Sequence, residues 1–93
     1  MSTVRDNPAL HSFELDADGV IAFSEYRHKA GVVTFIHTEV PESLGGKGVG
    51  SQLARGALDL VRARGEKVIA KCPFIAAFIK KHAEYQDLLA EPL

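Results

Sequence analysis

The stretch "VVTFIHTEVPESLGGKGVGSQLARGALDLVRARGEKVIAKC", residues 32–72, places an amphipathic segment between two apolar ones. Residues 32–40 are rich in β-branched and aromatic side chains, which predicts a strand. Residues 49–64 repeat apolar side chains at helical spacing. Residues 67–71 are short and apolar enough for a second, buried strand. The stretch therefore predicts a βαβ unit with parallel strands and a right-handed crossover.

The flanking segments complete the predicted order β-β-β-α-β-α. Residues 1–10 are polar and contain Asn7-Pro8, so we expect a loose lead-in. Segments 11–15 and 20–28, separated by the turn signal "DADG", predict two strands that form an antiparallel meander with 32–40. A last helix is expected from Pro73, with basic residues at its far end. The predicted fold class is α/β (α+β), a mixed sheet with packed helices in a single domain spanning 1–93.

Composition narrows the function. The chain has a net charge of −1, with 46% hydrophobic and 25% charged residues, which is ordinary for a globular protein. Without a basic field we expect no nucleic-acid partner, and without a long apolar run we expect no membrane span. The single Cys72 favours a reducing compartment, hence a cytoplasmic protein. The histidines show no metal-ligand spacing, so no metal is expected.

The junction "LGGKGVGSQLA", residues 44–54, is the clearest functional signal in the chain. Glycines at a strand-to-helix junction let backbone amides converge, and the first amides of a helix lack partners within it. Such a junction is suited to binding phosphate, and Lys47 could add a charge. Gly50 is followed by Ser51 rather than lysine, which disfavours an ATP- or GTP-hydrolysing P-loop. The spacing G-x-G-x-x-G of dinucleotide-binding folds is also absent.

With these two phosphate-binding patterns absent, the remaining pattern is G-x-G at Gly48 and Gly50, at the start of the predicted helix 49–64 and after the predicted strand 32–40. Here the sequence resembles the GNAT superfamily of acetyl-CoA-dependent N-acetyltransferases, whose signature [QR]-x-x-G-x-[GA] cradles the coenzyme A pyrophosphate. Gly45 stands where the family prefers Gln or Arg, so that side-chain contact is missing. "HTEVP" before the loop and "CPF" after the second strand resemble the minimal, single-domain branch. The resemblance extends from Phe13 to Leu89.

The resemblance implies an N-acetyltransferase with acetyl-CoA or coenzyme A as co-substrate, lying where the parallel strands splay apart. The helices and strands with which larger members build the acceptor site have no counterpart here, so the amine acceptor stays open. A coenzyme A or acyl-CoA binding module with little turnover is the alternative. A third hypothesis is an interaction protein whose glycine loop is only a turn. The oligomeric state is also open. The residues expected to bind the coenzyme are Val40, Gly45, Gly46, Lys47, Gly48, Val49, Gly50, Ser51 and Phe74.

Two side chains are candidates for catalysis. Cys72 precedes a helix N-terminus, which favours a thiolate, and it could act as nucleophile or as acid to the departing thiol. It could equally be a small buried hydrophobe. Strand alternation would put His37 on the same face as Phe35 and Glu39, where an imidazole could act as base or be held by hydrogen bonds. Glu39 is the competing base.

Three aromatic residues complete the predictions. We expect Phe74 and Phe78 in the core, with a pantetheine-lining role for Phe74 as the alternative. Tyr85 is a further candidate donor to the leaving thiolate, because a tyrosine has that role in many members of the family.

Overall fold

The computed structural model describes residues 3–45 and 48–93. Five strands form one sheet in the order β1-β2-β3-β4-β5. Neighbours from β1 to β4 are antiparallel, and β4 and β5 are parallel, which confirms the mixed sheet with its meander and βαβ unit. The strands are β1 Val4–Asn7, β2 Ser12–Ala17, β3 Val20–Lys29, β4 Val32–Glu39 and β5 Lys67–Ala70.

The expectation of a loose lead-in over residues 1–10 is wrong, because β1 lies within it. Val4 pairs with Leu15 across the β1–β2 ladder. Asp6, two residues on, accepts hydrogen bonds from the Tyr26 hydroxyl and the Arg64 guanidinium, at 2.6 Å each. Four mostly polar residues have no periodicity that identifies a strand. Their partners across the sheet and on the helix supply the order instead.

Helix α1, Val49–Ala63, lies between β4 and β5, and helix α2, Pro73–Lys81, follows β5. Gly65 has φ +70 and ends the first helix in the left-handed conformation that glycine adopts most readily. Short 3-10 segments lie at Pro8–Leu10, Glu42–Leu44 and Ala83–Leu88. None of the helices described is both long and apolar enough to cross a membrane.

One face of the sheet carries the core. Phe13, Phe35 and Val68 are fully buried and form one cluster with side chains from both helices. The core prediction is confirmed for Phe78, which is 6% exposed. It is wrong for Phe74, which is 40% exposed. Phe74 lies on the first turn of α2 and lines a surface pocket with the start of α1.

A β-bulge in β4 overturns the expected facing of His37. Tyr26 on β3 pairs with Phe35, whereas the preceding Glu25 pairs with His37, which leaves Ile36 as an extra residue. Cross-strand partners share a face, so the insertion reverses the alternation beyond it. His37 therefore lies on the face opposite to Phe35.

Candidate functional site

The two parallel strands separate at the end of the βαβ unit. The β4–β5 ladder ends at the pair formed by Phe35 and Ala70. The amides of Lys71 and Cys72 both donate to the Phe35 carbonyl, at 3.0 and 2.9 Å, and the chain then turns into α2. Strand β4 continues to Glu39 beyond the end of β5. The separation opens a notch between the carboxyl ends of the two strands, where open α/β sheets commonly bind ligands.

A short chain of polar side chains lines the core side of the notch. The Cys72 sulfur lies 3.3 Å from the Thr38 hydroxyl, which lies 2.9 Å from the Ser24 hydroxyl. Thr38 reaches this face only because of the bulge at Ile36, since Ser24 is its cross-strand partner. Cys72 is 2% exposed, so its thiol contacts protein rather than bulk solvent. The notch thus contains a buried thiol with a hydrogen-bond partner.

The glycine loop forms the second part of the site. Gly48 caps α1 with φ +71, a conformation that costs other residues roughly 1–2 kcal/mol. The amide of Gln52 donates to the Gly48 carbonyl at 3.0 Å as the first helical hydrogen bond. The amides of Val49, Gly50 and Ser51 therefore precede the first helical hydrogen bond, and amides at this position of a helix can bind an anion.

A concave pocket of about 280 Å³ lies at this helix end. The structure brings together around it all of the expected coenzyme-binding residues that it describes. Gly46 and Lys47 lie outside the described residues. The residues lining this glycine-loop pocket are Val40, Leu44, Gly45, Gly48, Val49, Gly50, Ser51 and Phe74.

Gly50 allows α2 to approach α1 closely. A Cβ atom at this position would lie 2.8 Å from Cζ of Phe74 and 3.5 Å from Cγ2 of Val40. Gly50 therefore leaves space for the Phe74 ring, which forms a wall of the pocket. Its role differs from that of Gly48, where a Cβ would meet nothing within 4 Å but the backbone has positive φ.

A second, smaller cavity of about 180 Å³ lies along α2. It shares Ser51 and Phe74 with the glycine-loop pocket, so the two cavities are adjacent. The remaining lining residues of the second cavity are Ala77, Phe78, Lys81 and His82.

His37 and Glu39 lie on the outer face of the sheet at the same end. Their side chains are linked by a 3.0 Å hydrogen bond from the imidazole Nε2 to a Glu39 carboxylate oxygen. The imidazole is about half exposed and contacts the Phe23 ring edge-on. The bulge thus separates His37 from Cys72, and the two candidate catalytic side chains face opposite sides of the sheet.

Tyr85 is held in a network on the helix side. Its hydroxyl donates to Asp59 at 2.7 Å and accepts from Arg55 at 3.3 Å, which links α1 to the last 3-10 segment. Burial, together with the bond to Asp59, raises the pKa of the Tyr85 hydroxyl. Its proton is engaged by Asp59, so the structure gives this residue a clear structural role. Within residues 3–45 and 48–93, no three His, Cys, Asp or Glu side chains cluster in a way that could hold a metal ion.

A glycine-capped helix, a notch between parallel strands and a pocket joining them define an acyltransferase-like fold of the GNAT type. The chain belongs to the GCN5-related N-acetyl-transferase family, whose pattern it matches over residues 12–88. The fold is shared with a solution NMR structure from Staphylococcus aureus, described as that of a GCN5-like candidate N-acetyltransferase. That similarity has a TM-score of 0.72 and 27% sequence identity, covering 97% of this chain and 89% of the other.

Similar proteins are also found in animals. The chain is 34% identical over 65 residues to Protein NATD1 of Bos taurus and, equally, to Protein NATD1 of Gallus gallus. These alignments cover 70% of this chain and only 57–58% of the relatives. The chain thus spans little more than half the length of the curated relatives that it matches.

Proposed function

We propose that this protein transfers an acetyl group from acetyl-CoA to an amine. The observation that carries the proposal is the glycine-capped start of α1, whose first residues line a pocket beside the β4–β5 notch. The amides suit the pyrophosphate of coenzyme A. The β4–β5 ladder ends at Phe35 and Ala70, and in this proposal the pantetheine arm and its thioester lie beyond that pair, between the strand ends. Family membership supports the same reaction.

The reaction needs two proton movements. The amine nitrogen, once deprotonated, attacks the thioester carbonyl carbon and forms the new C–N bond. The C–S bond then breaks, and the sulfur of coenzyme A leaves as a thiolate that takes up a proton. A base must therefore accept a proton from the amine, and an acid must donate a proton to the departing sulfur.

His37 and Glu39 supply the base in this proposal. Glu39 accepts a hydrogen bond from the imidazole and would stabilise the imidazolium formed when His37 takes the amine proton. Both side chains lie on the outer face of the sheet, so the amine approaches from that side. The coenzyme occupies the helix side, and the two substrates meet at the notch.

Cys72 supplies the acid. Its thiol lies within the notch beside the Thr38 hydroxyl, and a proton passed to the thiolate leaves Cys72 as a thiolate at the start of α2. The helix N-terminus favours that negative charge. Direct transfer of this kind leaves no acetyl group on the protein. In the competing route, Cys72 attacks the thioester first and carries the acetyl group to the amine.

The first experiment is calorimetric titration of the protein with acetyl-CoA, with AMP as the control. We expect micromolar or tighter binding of acetyl-CoA and none of AMP, because AMP lacks the pyrophosphate and the pantetheine arm. Absence of heat at millimolar acetyl-CoA would refute the proposal. It would leave the glycine loop as a turn that opens a helix.

Turnover is tested next by acetyl-CoA consumption with a panel of amines. His37→Gln and Cys72→Ala should each lower kcat while leaving acetyl-CoA affinity nearly unchanged. Thr38→Val is the matched control for Cys72, since it removes the hydroxyl partner and keeps the thiol. Incubation with acetyl-CoA alone, followed by mass spectrometry, distinguishes direct transfer from the covalent route. Detection of an acetyl group on Cys72 would show that the covalent route operates.

One observation favours a second candidate, a coenzyme A or acyl-CoA binding module with little turnover. The two candidate catalytic side chains lie on opposite faces of the sheet, whereas the binding residues converge on one pocket. Tight acetyl-CoA binding without consumption for any amine, and unchanged in the His37→Gln variant, would identify this candidate as the function.

A further inference from the structure

The outer face of the sheet carries apolar side chains next to the His37–Glu39 pair. Phe23 is the cross-strand partner of Glu39, so the two side chains share this face. Ile21 lies two residues from Phe23 on β3, faces the same way and is 43% exposed. The ring centroids of Phe23 and His37 are 6.3 Å apart. An amine that reaches His37 from the outer face therefore lies beside apolar surface. We call Phe23 and Ile21 the outer apolar strip.

The outer apolar strip extends away from the notch. It lies on β3, which is separated from β5 by β4. Phe23 lies opposite Glu39, whereas Glu25 lies opposite His37, so the direction from Phe23 to Ile21 leads away from the imidazole. At about 3.3 Å per residue, Ile21 lies roughly 7 Å beyond Phe23. A carbon skeleton whose nitrogen is at His37 therefore meets Phe23 with its first carbons and Ile21 only with later ones.

The charges along this face differ between its two ends. The Glu39 carboxylate is 61% exposed beside the imidazole, where it attracts an ammonium group. Glu14 and Asp16 are the cross-strand partners of the two strip residues on β2. Both hold the Arg5 guanidinium, at 3.0 Å each. A second ammonium at the far end of the strip would have to compete with this arginine, so the face suits a ligand with a single positive charge.

We propose that the acceptor is a primary monoamine on an apolar carbon skeleton, which binds along the outer apolar strip with its nitrogen at the His37–Glu39 pair. This inference rests on the proposed function and names the class of its acceptor. The nitrogen bonds to the acetyl carbonyl carbon as the C–S bond breaks, and it gives one proton to His37. The product is a neutral amide, which Glu39 attracts less than it attracts the ammonium form of the substrate.

The experiment measures kcat/KM by acetyl-CoA consumption with the unbranched primary amines from butylamine to octylamine. These amines differ in skeleton length and hardly in basicity. Full burial of one CH₂ group is worth about fourfold, and a strip covers only one side of a chain, so we expect kcat/KM to rise about twofold per added carbon. We expect octylamine to exceed 1,8-diaminooctane about fivefold for each reactive nitrogen, because the second ammonium lies over apolar surface near Arg5.

Ile21→Thr is the test variant, because it removes apolar surface from an exposed position and keeps a β-branched side chain. Val32→Thr is the matched control. Val32 precedes the fully buried Val33 and therefore also faces outward, but it lies at the start of β4, at the other end of the sheet. Ile21→Thr should lower kcat/KM about fivefold for octylamine and much less for butylamine. Val32→Thr should change neither value.

Equal kcat/KM for butylamine and octylamine would overturn this inference and leave the proposed function intact. So would a preference for the diamine, which would identify the acceptor as a polycation, or equal losses in the two threonine variants. Binding of acetyl-CoA without its consumption for any amine would overturn this inference and the proposed transfer together. The two failures are therefore distinguishable in one set of kinetic measurements.

Discussion

Replacing Gly56 by alanine tests how closely α1 lies against β1. A Cβ atom at Gly56 would lie 2.3 Å from Cγ2 and 2.6 Å from Cβ of Val4. Both distances are far inside van der Waals contact. Rotating the Val4 side chain can move Cγ2 but not Cβ, which is fixed by the strand. Since Val4 is paired with Leu15, the new methyl group has to push the helix and the strand apart.

The expected loss of stability combines two opposing effects. Overpacking of this kind costs typically about 1–3 kcal/mol. Alanine is better than glycine in a helix interior by about 1 kcal/mol. Because distances of 2.3 and 2.6 Å place this position at the upper end of that range, about 2–3 kcal/mol, we expect the Gly56→Ala variant to lose about 1–2 kcal/mol of unfolding free energy. For a domain of this size, each kcal/mol lowers Tm by roughly 4–8 °C.

Urea unfolding followed by circular dichroism measures this loss, and a double-mutant cycle with Val4→Ala assigns its cause. Val4→Ala removes the nearest methyl group and is itself destabilising because Val4 packs against the core. The loss of unfolding free energy in the double variant should be smaller than the sum of the two single-variant losses, by about 0.5–1 kcal/mol. Strict additivity, or a Gly56→Ala variant as stable as the wild type, would refute the close approach of α1 to β1.

Three further predictions concern single positions. Gly50→Ala should weaken acetyl-CoA binding several-fold in calorimetry, because the new methyl group displaces the Phe74 ring that forms a wall of the pocket. The Tm should change little, because the half-exposed ring can move towards solvent. Unchanged affinity would count against a role for this wall in binding. Gly48→Ala should lower the unfolding free energy by about 1 kcal/mol, because Gly48 has positive φ. Gly48→Asn should lower it by less, since asparagine tolerates positive φ better than alanine does. Equal stability of the wild type and both variants would contradict this prediction. Burial and the bond to Asp6 raise the pKa of Tyr26 to about 12 from 10.0, so the stability they reflect is present below pH 10 and falls as pH rises towards 12. Urea unfolding on either side of pH 10 should show this fall in the wild type, and an equally steep fall in Tyr26→Phe would assign it to other groups.

The parts of the fold that local sequence specifies were predictable. The βαβ unit follows from an apolar strand, an amphipathic helix and a second apolar run, each with its own periodicity. The end of α1 follows from Gly65, because a left-handed residue ends a helix. The glycine-loop pocket follows in the same way, since the glycines and the first helical amides are neighbours along the chain.

Strand β1 could not be predicted from its own residues, yet the helix contains a clue to it. Gly56 lies in the interior of α1, where glycine is unfavourable by about 1 kcal/mol relative to alanine. Such a glycine indicates that another segment packs closely against the helix. The missing information was the identity of the approaching segment, which depends on contacts between residues far apart in sequence.

The bulge at Ile36 has the largest consequence for function, and nothing in the local pattern indicates it. Regular alternation would turn His37 towards the core, beside Cys72, and would turn Thr38 outward. With one extra residue, Thr38 instead meets the thiol, and His37 joins Glu39 on the outer face. A direct proton relay between His37 and Cys72 is therefore excluded by their placement. If both act, they act on different atoms from opposite sides of the notch, so His37→Gln and Cys72→Ala should lower kcat by factors that multiply in the double variant.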